Sequence, residues 1–175
     1  MGAEDDDCPG SACRVTRRDF IRISGATTLA SGISPALAAT GTSAPRSDAY
    51  PVANVADLAS LKVDTPVTFT YPDDSSPALL VRLQQAAIGG VGPGNTVVAY
   101  SMLCTHKGCP VGYKPERKLL ICPCHWSSFD PAKAGQMVIG QASQALPQIS
   151  LRVQGNTVQA VGIEGLIYGR HANIL

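Results

Sequence analysis

Two short segments constrain this chain more than anything else in it. Cys104-Thr105-His106-Lys107-Gly108-Cys109 and Cys122-Pro123-Cys124-His125-Trp126-Ser127 each place a thiol and an imidazole at close spacing, C-x-H in the first and C-x-x-H in the second. Six Cys and three His occur in 175 residues, and four of the Cys and two of the His fall in these two segments. Each segment follows an apolar, strand-like stretch, so each reads as a loop at a strand end. A fold that turns the two loops toward each other offers two sulfur and two nitrogen donors. Tetrahedral zinc could use that set, and so could an iron–sulfur centre. Cys109 and Cys124 stand one per loop and suit a disulfide that ties the loops together. A structural zinc site gains little from such a staple, whereas a cluster held by two short exposed loops gains a good deal.

The remainder of the chain indicates an all-β domain behind a removable leader. Thr16-Arg17-Arg18-Asp19-Phe20-Ile21-Arg22 sets a twin arginine before a weakly apolar run, residues 23–37, and Ala36-Leu37-Ala38-Ala39 suits a signal peptidase. Gly25, Ser31, Gly32 and Pro35 interrupt the run, and a membrane span needs about 20 apolar residues, so no stable span is expected. The expected organisation is a twin-arginine signal peptide over residues 1–39, a linker over 40–50 and one domain over 51–175. Export folded to the periplasm follows from that leader, with Cys8 and Cys13 removed along with it. The formal net charge of +1 gives no case for nucleic acid.

Strands are expected at residues 67–71, 78–83, 96–102 and 119–121. Residues 149–153 and 157–161 read as a hairpin across Gly155-Asn156. Residues 54–61 read as a helical turn or two with Asn54 as the cap. Gly89-Gly90-Val91-Gly92-Pro93-Gly94-Asn95 reads as a loop, without the Lys-Ser/Thr of a phosphate-binding loop. Trp126 reads as loop packing. Tyr113, Met137 and His171 read as structural or surface residues.

The pair of motifs, C-T-H-x-G-C with C-P-C-H-x-S, resembles the signature of Rieske proteins. That resemblance implies an antiparallel β-sandwich with a smaller cluster-binding subdomain, here about residues 103–147. It implies one [2Fe–2S] cluster, with Cys104 and Cys122 on the inner iron and His106 and His125 on the outer iron. It implies a disulfide between Cys109 and Cys124, which an oxidising compartment permits. Two neutral imidazoles in place of two thiolates leave the oxidised cluster less negative, and this raises the potential to about −150 to +300 mV. Ser127 matches the family serine whose hydroxyl bonds a bridging sulfide. Phe129 stands where high-potential members carry Tyr, so one donor to a cysteine sulfur is missing and the middle of the range is expected.

Four further stretches resemble the small subunit of arsenite oxidase. They are Val67-Thr68-Phe69-Thr70-Tyr71-Pro72-Asp73, Gly89-Gly90-Val91-Gly92-Pro93, Ala134-Gly135-Gln136-Met137 with Gly140-Gln141-Ala142, and Gly165-Leu166-Ile167-Tyr168-Gly169-Arg170. This implies an electron-transfer subunit of a heteromeric oxidoreductase, not catalytic alone. Its partner would be a molybdopterin-containing large subunit with a [3Fe–4S] cluster. Electrons would leave toward a soluble cytochrome c or copper protein, through an imidazole edge that is the natural exit. The face that meets the large subunit is expected to be apolar. The alternative is the Rieske subunit of a quinol-oxidising respiratory complex, which would call for an anchor and for Tyr at position 129.

Overall fold

The computed structural model describes residues 50–174. These form ten strands in two antiparallel sheets. The larger sheet has the order β1-β10-β9-β4-β3-β2 and the smaller has β5-β6-β7-β8. In chain order the strands are β1 (Ala53–Asp57), β2 (Val67–Thr70), β3 (Pro77–Arg82), β4 (Val97–Ser101), β5 (Gly112–Lys114), β6 (Leu119–Ile121), β7 (Ser128–Asp130), β8 (Gln136–Ile139), β9 (Gln148–Gln154) and β10 (Thr157–Glu164). The all-β expectation with a smaller second unit holds. The leader and most of the linker lie outside the described residues.

Alternation along β3 and β4 explains how one sheet serves two cores. Ala78, Leu80, Val97 and Ala99 face a core completed by Ile149, Val158 and Ile167. Leu79, Val81, Val98 and Tyr100 point the other way, into a core shared with Val111 and with Tyr113, Leu120 and Phe129 of the small sheet. Successive strand residues point to opposite faces, so both faces of these two strands are apolar and buried. The small unit is inserted between β4 and β9. Those strands pair directly, Ala99 with Ile149 and Tyr100 with Gln148. At the point of entry and return the Ser101 N–H donates to Pro147 O at 2.9 Å.

One local expectation fails in part. Asn54 caps no helix: it lies in β1, opposite Gln159 of β10. The 3-10 turn comes later, at Leu58–Ser60, and Asp57 caps it by accepting from Ala59 N–H at 2.8 Å. Pairing along a sheet edge outweighs the weak helical pattern of this stretch. The Gly-rich segment is a loop as expected, closed by a single 3-10 turn, Pro93–Asn95, with Gly94 in the left-handed region. β5, β7 and β8 were not anticipated. They are three or four residues long, too short to show a period.

Candidate metal centre

Both Cys/His segments are turns built on one template. In the first, the N–H of Cys104 donates to the carbonyl of Cys109 at 2.9 Å. In the second, the N–H of Cys122 donates to the carbonyl of Ser127 at 2.9 Å. Each bond closes a six-residue loop, and the fifth residue of each sits in the left-handed region: Gly108 at φ +71° and Trp126 at φ +59°. The first loop is further held by Gly108 N–H on Cys104 O at 2.8 Å. The loops follow β4 and β6, so the small sheet and its junction with the large one fix their facing geometry.

The disulfide is present: Cys109 and Cys124 are joined across 15 residues of sequence. Cys104 and Cys122 remain as buried free thiols, and Cys122 lies within 4.8 Å of both disulfide sulfurs. The two imidazoles meet edge to face with ring centroids 4.7 Å apart. His125 is exposed and His106 half-buried, whereas both free cysteines are buried. Thus two thiols lie inside and two imidazoles lie toward solvent.

The donor set fits a cluster on three counts. First, Nδ1 of His106 is buried and has no hydrogen-bond partner, an arrangement that costs free energy unless a ligand satisfies it. Second, burial pushes the Cys104 thiol up, and proximity to Cys122 adds to this. Backbone N–H groups of His106 and Lys107 act against it by donating to the sulfur. Amide donors at the sulfur suit a thiolate whose charge a metal neutralises. Third, Ser127 is fully buried and its Oγ accepts from the N–H groups of Gln141 and Ala142, each at 3.1 Å. Its own proton is then left to donate elsewhere. Gly140 permits this contact, since a Cβ there would stand 2.3 Å from Ser127 Cα.

The remaining singled-out residues divide. Phe129 is fully buried in the same core as Cys104 and Cys122. Tyr113 is buried and donates to Asp64 Oδ1 at 2.6 Å, Met137 packs on the core, and His171 is exposed. These agree with a structural or surface role. Trp126 does not pack: it is 66% exposed. Its left-handed backbone turns the indole out of the loop.

Sequence reading missed Asp64, itself at φ +59°. Its carboxylate receives Tyr113, Gln84 at 2.7 Å and a short contact from Lys118. It ties the small unit to the segment before β2. An Asp between Val63 and Thr65 gives no sequence signal for that role.

A fold of two sheets with paired Cys/His loops and a loop disulfide defines an iron–sulfur electron carrier. The Rieske [2Fe–2S] domain matches residues 48–150, and the chain belongs to that family and carries one [2Fe–2S] cluster. Among curated relatives, the iodate reductase subunit IdrB of Denitromonas iodatirespirans is 41% identical over 175 residues, covering 97% of this chain and 92% of that one. The same subunit of Pseudomonas sp. (strain SCT) is 40% identical over 123 residues, covering 69% and 64%. Among solved structures, the soluble domain of Rieske protein II (soxF) from Sulfolobus acidocaldarius aligns with a TM-score of 0.61. It is 24% identical and covers 70% of this chain and 83% of that one.

Proposed function

We propose that this chain is the one-electron relay subunit of an exported, molybdenum-containing oxyanion oxidoreductase, with Cys104, His106, Cys122 and His125 as the cluster ligands. The observation that carries it is the pairing of buried Cys104 and Cys122 with the outward His106 and His125, an arrangement that insulates one side of the site and opens the other. When bound, the cluster supplies a single electron at a time. The chain's own residues shape that exchange. The amide donors on Cys104 stabilise negative charge at the sulfur. The Ser127 hydroxyl, fixed by two backbone N–H groups, is preorganised to donate to a neighbouring anion. The disulfide holds the two loops in register.

Substrate choice rests with the partner. The match across 97% of the chain to an iodate reductase subunit favours iodate reduction. The four stretches similar to the arsenite oxidase small subunit favour arsenite oxidation. These two readings run electrons in opposite directions, which makes them separable. The loaded subunit is mixed anaerobically with the candidate large subunit and its visible absorbance followed. Arsenite bleaching the oxidised cluster supports the oxidase reading. Iodate restoring colour to the reduced cluster supports the reductase reading. Either change is expected only with both subunits present. Reduction by a quinol with no large subunit added would replace both readings with the respiratory-complex alternative.

A further inference from the structure

We propose that the large subunit seats on the tip of the ligand loops through two aromatic anchors, Trp126 and Tyr168. The identity of the occupant rests on the relay reading above; the surface itself rests on geometry. The loops share one template, and in each an aromatic ring marks the left-handed fifth position. In the second loop that residue is Trp126, held at φ +59°, a conformation that a bulky side chain adopts only when its surroundings impose it. In the first loop it is Gly108, and Tyr168 lies over it. A Cβ on Gly108 would stand 2.6 Å from Tyr168 Cδ1.

Tyr168 does not rest there by chance of a loose tail. Arg170 forks onto both carboxylate oxygens of Asp73, at 2.7 and 2.9 Å, and also meets Ser75 Oγ and Asn173 O. Asn173 in turn accepts from Ile167 N–H and donates to Gly165 O and Tyr50 Oη. Ile167 is buried, and its neighbours Leu166 and Tyr168 are exposed at 45% and 39%. The Gly165-to-Arg170 stretch is thus a clamped platform that holds the Tyr168 ring beside the first loop.

Of nine large apolar side chains left exposed among the described residues, three lie on or next to the ligand loops: Trp126 within the second loop, Ile139 paired with Ser128 at its end, and Tyr168 over Gly108 of the first. Such a collar on a free subunit would favour association, so it marks a surface that is covered. Charge says by what kind of partner. The only charged side chain in the two loops is Lys107. A diffusing carrier is steered by larger fields, whereas permanent interfaces are apolar and preorganised. Sequence reading separates an apolar face for the large subunit from an imidazole edge for the exit. In the structure Trp126 and Tyr168 border the same two loops that carry the imidazoles.

The experiment is hydroxyl-radical footprinting of the loaded subunit, alone and in complex with the candidate molybdenum subunit, read by peptide mass spectrometry. Labelling of Trp126 and Tyr168 is expected to fall at least fivefold in the complex. Trp126→Gly and Tyr168→Ser are each expected to weaken association at least tenfold while leaving the cluster's visible circular dichroism unchanged, because glycine suits φ +59° and Tyr168 is not a ligand. Trp126→Phe should recover most of the affinity, and Ile88→Ser, at an exposed apolar residue outside the collar, should match the unaltered chain. A complex that forms with both rings still labelled, or that forms equally well with Trp126→Gly, overturns the docking surface and leaves the relay intact. No complex with the molybdenum subunit overturns the relay and its occupant together.

Discussion

Ser127 and Phe129 sit two positions apart, both fully buried, and differ in what they offer: one carries a hydroxyl and the other does not. Ser127 has a hydroxyl whose acceptor side is fully used by Gln141 and Ala142 N–H groups. Its donor side is therefore free to favour the more negative, reduced centre. Ser127→Ala is expected to lower the reduction potential by tens of millivolts. It also strands two amides, which costs about 1–3 kcal/mol if they remain dry. Phe129 lacks a hydroxyl and is buried with Cys104 and Cys122, the proposed cluster ligands, in one core. Phe129→Tyr adds a donor there and is expected to raise the potential, again by tens of millivolts, since only the difference between redox states counts. Protein-film voltammetry reads both. No shift in either variant, with cluster content normal, would show that neither side chain reaches the cluster sulfurs. These two residues were legible in sequence because the Rieske motif fixes their offsets. Asp64 was not, because its partners Gln84, Tyr113 and Lys118 are 20, 49 and 54 residues away and only the fold assembles them.

At the scale of elements, the small sheet is fastened to the large one by Asp64, and the C-terminal platform is fastened to the β2–β3 turn by Asp73. Burial alone would raise the Asp64 carboxyl. Donors from Lys118, Tyr113 and Gln84 outweigh it and hold the group below the ordinary carboxylate range. A depressed folded value means the stabilisation is whole above the unfolded carboxylate value of about 4 and fades as pH falls toward the folded value. Asp64→Asn should flatten that acid limb. It should also lower neutral stability by about 1–3 kcal/mol, because Tyr113 is buried and loses a charged acceptor. Lys118 is half exposed, so solvent screens part of its contribution. Thermal melts between pH 3 and 7, as chosen test conditions on the order of the carboxylate range, would show both effects; an unchanged acid limb would count against Asp64 as the fastening. Asp73 is held even lower by Arg170, so the clamp should outlast Asp64 on acidification.

The long strands β9 and β10 announced themselves by alternation, and the short β2 by its β-branched and aromatic residues. The helical turn expected over residues 54–61 is confined to Leu58–Ser60 and loses its Asn54 cap, because β1 owes its form to β10, more than a hundred residues later. Trp126 was misjudged for a related reason. Nothing in C-P-C-H-x-S says that its fifth member is left-handed, and a Gly in that place would have given the turn away.

Over the whole molecule, the disulfide closes a 15-residue separation between the two ligand loops. A crosslink of that span contributes about 3 kcal/mol by limiting the unfolded chain. Cys109→Ser with Cys124→Ser is expected to lower the denaturation midpoint and to speed loss of labile sulfide on warming. Alkylation of the intact loaded protein without reductant should leave both cysteines unlabelled. Uptake of label by both would mean that the staple is not formed in solution.

The small unit leaves the large sheet at Ser101 and rejoins it at Pro147, residues that hydrogen-bond to each other. A segment whose ends already touch is portable, because exchanging it demands no rerouting of the host chain. The host does set one condition. Leu79, Val81, Val98 and Tyr100 need an oily lid. A chimera that replaces residues 102–146 with the equivalent piece of another Rieske protein should therefore fold and load if that piece is apolar beneath. A short turn spliced between Ser101 and Pro147 should instead bare those four side chains and come out of the cell insoluble. Cofactor and redox range would then be exchangeable parts on a constant β base, with soluble yield and the visible spectrum of the chimeras reporting whether the seam holds.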